Sequence, residues 1–245
     1  MAAKSTIGKG TATAGTSNNN GEDFVNQINR LALEVGRKHG YDHADAEVSV
    51  FKDFKVQWTR SYQYISFKVS DYMEGASDEA IAGLFDTLFS RIEGKDASYS
   101  KAMRDFCLSA EFRQQHRGTY IKRCRSLNVE PQGDAKNLDE SIERLKAKGL
   151  ISGDDDIQLA WTSAVNQRAA SCSVLFRVIA VSDQLDYADV PDDVLDYAIY
   201  TQYIKIVKGA EVFGYTSEVF TREEERKFEG YKEIERTLDR MNLFL

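Results

Sequence analysis

Residues 190–209 read VPDDVLDYAIYTQYIKIVKG, and the rest of the chain is read outward from them. Pro191 suits the first turn of a helix because its missing N–H would be unpaired there in any case. Asp189 stands at the capping position, and Asp192 and Asp193 complement the positive end of the helix dipole. Lys205 and Lys208 fall in the last turn, and Gly209 is placed to stop the helix in a left-handed conformation. Val194, Leu195, Ala198, Ile199, Ile204, Ile206 and Val207 make the segment apolar nearly all the way round. That distribution predicts a central helix, not a surface one.

An apolar run, a short acidic loop and P-x-x-V-L-D-Y-x-I-Y precede five residues at the place of an H-E-x-x-H motif. This order resembles the zinc metallopeptidase-like domains of the SprT-like and minigluzincin type. The resemblance implies a zincin-like fold in which a strand leads into the active helix. Two His at i and i+4 would hold zinc there, and the Glu would activate the metal-bound water. In this chain Thr201 stands for the first His, Gln202 for the Glu and Lys205 for the second His. A threonine hydroxyl is a poor zinc ligand, an amide takes no proton, and an ammonium puts a cation where the metal would sit. A register through G-Y-T-S-E-V-F places Tyr215 at the third-ligand position. Glu218, Glu223, Glu224 and Glu225 offer oxygen ligands, but without imidazole partners they read as a solvated acidic helix start. The resemblance therefore carries a fold and no activity, metal or cofactor.

The composition is that of an ordinary globular protein. With 245 residues, 42% of them hydrophobic, the chain can bury a substantial core. A formal net charge of −7 opposes a general affinity for nucleic acid or acidic membranes, although a local basic segment can override it. Cys107, Cys124 and Cys172 have neither the even number nor the C-x-x-C spacing of a disulfide or zinc framework, which points to a reducing compartment. Residues 1–21, rich in Gly, Ala, Ser, Thr and Asn, read as a disordered tail. No run approaches the ~18 apolar residues of a membrane span, so the expected location is cytoplasmic.

Phe24, Ile28, Leu31, Ala32 and Val35 have helical spacing, ending near Gly40. Residues 47–56 and 64–72 alternate as strands, and Ser77 opens a helix that closes at Gly94. This half can be laid over the second. Anchored on the helices, Ser77 pairs with Pro191, Asp78 with Asp192, Thr87 with Thr201 and Arg91 with Lys205; Trp58-Thr59 matches Trp161-Thr162. Duplication and the shared periodicity of any two strand–helix units both account for the match. The fold class expected is α+β, with zincin-like helices on small mixed sheets. Duplication would make it two tandem degenerate modules joined by a helical connector.

The connector, Tyr99 to Leu127, is locally basic: Arg113, Arg117, Lys122, Arg123 and Arg125 lie among Phe106, Phe112 and Tyr120. These residues could form a stripe for phosphates or an acidic protein, or simply a solvated helical face. His116 reads as a surface hydrogen-bonding residue, and Gly40 separates His39 from His43, which weakens them as a metal pair. A helix is expected over 137–148 and strands over 157–162 and 173–182; the intervening Asp154, Asp155 and Asp156 read as a turn. A last amphipathic helix is expected over 221–241. The organisation expected is thus a tail (1–21), an N-terminal module (22–98), the connector (99–153) and a metallopeptidase-like module (154–245). Function follows as a catalytically inactive interaction or scaffold subunit of a larger cytoplasmic assembly. The alternatives are a nucleic-acid- or ribonucleoprotein-associated factor and a metal-dependent hydrolase with rearranged ligands.

Overall fold

The computed structural model describes residues 19–152, 156–163, 167–212 and 218–245. They form two compact units, the first from residues up to 50 together with 55–97, the second from 51–54 together with 98–245. The basic segment expected as a connector is folded into the second unit.

In the first unit, helix α1 (Asn19–Lys38) buries Phe24, Ile28, Leu31, Ala32 and Val35, the face its spacing predicts. It packs on a three-stranded sheet of order β1-β3-β2, with β1 (His43–Ser49) parallel and β2 (Val56–Ser61) antiparallel to β3 (Tyr64–Ser70). Ile65, Phe67 and Val69 alternate into the core, each stabilising it by about 1.5–3 kcal/mol. The first strand begins earlier than the alternation of residues 47–56 suggests. Its buried positions are the small Ala44 and Ala46, which carry little hydropathy signal. Small residues are needed because α1 comes close: a Cβ on Gly36 would stand 2.9 Å from the Ala44 Cβ and 3.1 Å from Phe89. Ser70 caps a 3-10 turn over Asp71–Met73, and Ser77 caps helix α2 (Asp78–Ile92), accepting from the Ala80 N–H at 3.2 Å.

The second unit opens with helices α3 (Lys101–Leu108) and α4 (Ala110–Arg123), separated by Ser109, whose hydroxyl caps α4. The short strand β4 (Leu127–Asn128) and helix α5 (Leu138–Ala147) follow. Next come β5 (Gln158–Thr162), β6 (Ala170–Ser173) and β7 (Val178–Ser182), in a sheet of order β4-β5-β7-β6. The single strand expected over 173–182 is instead a turn followed by β7. Arg177 takes the left-handed conformation (φ 51°) that glycine usually supplies, so nothing in the apolar run announces the turn. After a 3-10 turn over Asp183–Leu185 comes helix α6 (Asp192–Val212), then α7 (Glu218–Glu225) and α8 (Tyr231–Arg240). Gly209 does not end α6; it is buried within the helix, a position that costs about 1 kcal/mol relative to alanine. The single helix expected over 221–241 is broken before Gly230, which sits at φ 75°.

The same succession occurs in both units: helix, three strands, a 3-10 turn, helix. In each, the first strand runs parallel to the third and the second antiparallel to it. Val69-Ser70-Asp71 and Val181-Ser182-Asp183 occupy matching places, with each serine capping its 3-10 turn. The helix-anchored pairing of Asp78 with Asp192 agrees with the helix starts. The tryptophan pairing does not: Trp58 lies on β2, whereas Trp161 lies on β5, the counterpart of β1.

Candidate functional site

Helix α6 carries the positions that matter for the metallopeptidase resemblance. It touches α5, β6, β7, α7 and α8, and Leu195, Tyr197, Ala198, Ile199 and Ile206 are all fully buried. Thr201 is 0% and Gln202 3% exposed. The Thr201 hydroxyl donates to the Ala198 carbonyl at 3.0 Å, and the Gln202 amide donates to the Thr201 hydroxyl at 3.4 Å. Both side chains are thus used inside the packed interior. Lys205 is half-buried and acts electrostatically on Cys172, whose thiol burial pushes up to about 11 while the ammonium partly offsets the rise. Tyr215 and the side chain of Glu218 lie outside the described residues. In the first unit Thr87, the counterpart of Thr201, is likewise buried and donates back to the Gly83 carbonyl at 2.8 Å.

Glu218 begins α7, but the other three glutamates of that helix are not at a helix start. Glu223, Glu224 and Glu225 fall in the last turn of α7, where the helix dipole disfavours carboxylates, and cations compensate. Lys227 reaches Glu224 at 2.5 Å, and Arg222 lies 3.6 Å from the buried Glu225 and 2.8 Å from Glu235. The Tyr197 hydroxyl donates to Glu235 at 3.1 Å, and the Tyr200 hydroxyl to the Glu224 carbonyl at 3.0 Å. Burial pushes both phenols up, Tyr200 to about 12, with neighbouring carboxylates adding to the effect.

A buried ion pair on α6 was missed by sequence reasoning. Asp196, 1% exposed, accepts Arg144 of α5 through Nε at 3.0 Å and Nη2 at 2.8 Å, with Lys148 at 3.6 Å. The pairing holds Arg144 above its ordinary range. The available signal was a carboxylate in the middle of an otherwise apolar helix, preceded in the chain by a helix with basic residues at i and i+4. Nearby, the Asp186 carboxylate accepts from three successive backbone N–H groups, Asp134, Ala135 and Lys136, at 2.5, 2.9 and 2.7 Å. Gly133 leaves room for it: a Cβ there would overlap the carboxylate.

A cavity of about 290 Å³ is lined by Val129, Pro131, Ile142, Ile151, Leu159 and Tyr203, among others; Thr201, Gln202 and Lys205 do not line it. Among the described residues no group of three or more His, Cys, Asp or Glu is placed to hold a metal ion. His39 bonds Glu93 at 2.8 Å and Asp86 at 3.0 Å through its two ring nitrogens, and His43 begins β1. His116 is buried, not at the surface, edge-on to Phe112 with ring centres 4.7 Å apart.

The basic residues of α4 and of the turn after it do not form one stripe. Arg117 binds both Asp156 oxygens at 2.8 Å and the Phe176 carbonyl at 2.9 Å, with Arg113 3.6 Å from the same carboxylate. Arg123 donates to the Phe51 carbonyl at 2.8 Å. Lys122 and Arg125 are exposed. Three of the five cations therefore hold the second unit together. No helix of the described residues is long and apolar enough to cross a membrane. Comparison with known protein families, with characterised proteins and with solved structures finds no match.

Proposed function

We propose that this chain is a catalytically inactive, metallopeptidase-like protein that serves as an interaction or scaffold subunit of a larger cytoplasmic assembly. The observation that carries the reading is the state of the motif positions. Thr201 and Gln202 are sealed in the core and bonded within their own helix, so the place where a zinc-bound water would meet substrate is occupied by packing. The same replacement on α2, where Thr87 is buried in the same way, supports a frame kept for its shape. The strand-then-helix order of β7 and α6 is compatible with the resemblance in the sequence.

The test uses the purified full chain. It should contain well under one zinc per molecule and leave a broad peptide substrate mixture uncut, with no change on adding a chelator. Tagged chain isolated from its native source should bring down the same protein partners reproducibly. Chelator-sensitive cleavage would overturn the proposal.

A further inference from the structure

Sheet edges expose unpaired backbone donors and acceptors, and proteins that avoid strand pairing block them. In this chain the described edges are treated unequally. The outer edge of β1 is blocked by α1: the Asn29 side chain accepts from the Ala46 N–H at 3.0 Å and donates to the Ala46 carbonyl at 2.7 Å. β4 is only two residues long. The stretch entering β6 is closed by the C-terminal segment, with the Ala169 N–H donating to the Phe244 carbonyl and the Phe244 N–H to the Gln167 carbonyl, both at 2.7 Å. The remaining edge is β2, the counterpart of β6 in the first unit. It runs six residues without proline, lysine or bulge; its one charge is Arg60, and Trp58 is 49% exposed, while Tyr62, 87% exposed, stands in the turn that follows at φ 53°.

We propose that β2 is a homodimer interface, pairing antiparallel with β2 of a second copy about a two-fold axis through Thr59. Antiparallel partners must present their N–H and C=O groups to each other. Because that orientation alternates along a strand, a two-fold axis has to pass through a residue pair of equal parity. Centring on Thr59 sets Trp58 opposite Arg60 of the second copy and Gln57 opposite Ser61. An indole then meets a guanidinium, an amide meets a hydroxyl, and no like charges face each other. A two-fold pairing uses the same edge on both copies, so it closes at two and does not propagate.

Light scattering on the eluting full chain at its highest soluble concentration should give twice 27.7 kDa. Thr59→Lys sets two ammonium groups face to face, on the sheet face away from the core, and should yield a folded monomer with an unchanged circular dichroism spectrum. Trp58→Ser should weaken association about tenfold or more. Thr59→Cys should form a disulfide-linked dimer under mild oxidation, whereas Ser61→Cys, which would face Gln57, should not. A monomeric wild type, a dimer indifferent to Thr59→Lys, or equal cross-linking at positions 59 and 61 would overturn the proposal. So would a monomer that takes up an extended peptide or single-stranded nucleic acid at Trp58.

Discussion

Replacing Arg144 with alanine should damage the second unit more than replacing its partner, because the two ends of the ion pair differ in burial. Asp196 is 1% exposed, whereas the Arg144 side chain is 31% exposed. Without the guanidinium, the carboxylate keeps only Lys148 at 3.6 Å and is left charged in the core, a loss of about 3–5 kcal/mol. Asp196→Ala instead leaves an arginine whose head can turn to solvent, and should cost about 1–3 kcal/mol. Arg144→Met combined with Asp196→Leu removes both charges and should recover most of the loss. The assay is urea unfolding followed by Trp161 fluorescence in a Trp58→Phe background. With a slope of about 2 kcal/mol per molar, Arg144→Ala should lower the midpoint by roughly 1.5–2.5 M. A shift below about 0.5 M, or a double variant no better than Arg144→Ala, would refute the account of Asp196 as a carboxylate stable only when paired.

Gly133→Ala would push the Asp186 carboxylate off its three backbone donors. It should cost about 1–3 kcal/mol, and combined with Asp186→Ala it should add little to that variant alone, as calorimetry would show. Asp156 is held below its usual range, chiefly by its hydrogen bonds to Arg117. Its contribution is therefore full above the unfolded carboxylate value near pH 4 and is lost as pH falls through the lower folded value. Because Asp156 is 60% exposed, Arg117→Gln should remove only about half a kcal/mol of this acid-side dependence in denaturation midpoints taken from pH 2 to 6. Cys172, raised to about 11, should react with iodoacetamide at pH 8 at least about tenfold more slowly than free cysteine, and more slowly still in Lys205→Met. Rebuilding the motif as Thr201→His, Gln202→Glu and Lys205→His should give a destabilised protein without stoichiometric zinc. A stable, zinc-loaded triple variant by elemental analysis would show that the helix face is more open than its burial indicates.

The α+β class was legible because it rests on local periodicity. The buried stripe of α1, the alternation of Ile65, Phe67 and Val69, the helix opened by Ser77 and the helix expected from Asn137 are short-range patterns, and each reappears in the fold. Boundaries were misjudged where a local rule was overridden. Arg177 takes a turn conformation without being glycine, Gly209 continues a helix that glycine often ends, and Ala44 and Ala46 bury a strand whose hydropathy is weak. The basic segment misled for a different reason: charge along a sequence does not reveal which guanidinium meets Asp156 or a carbonyl from elsewhere in the chain.

By itself the sequence determined that positions 201, 202 and 205, which the proposed resemblance sets against H-E-x-x-H, hold a hydroxyl, an amide and an ammonium, since residue type is read directly. Only tertiary structure decided that Thr201 and Gln202 are enclosed, that Asp196 has its arginine, and that the stretch entering β6 pairs with Phe244. Burial and edge pairing are made by residues far apart in the chain, and each depends on where several elements meet at once, which local patterns of hydropathy do not encode.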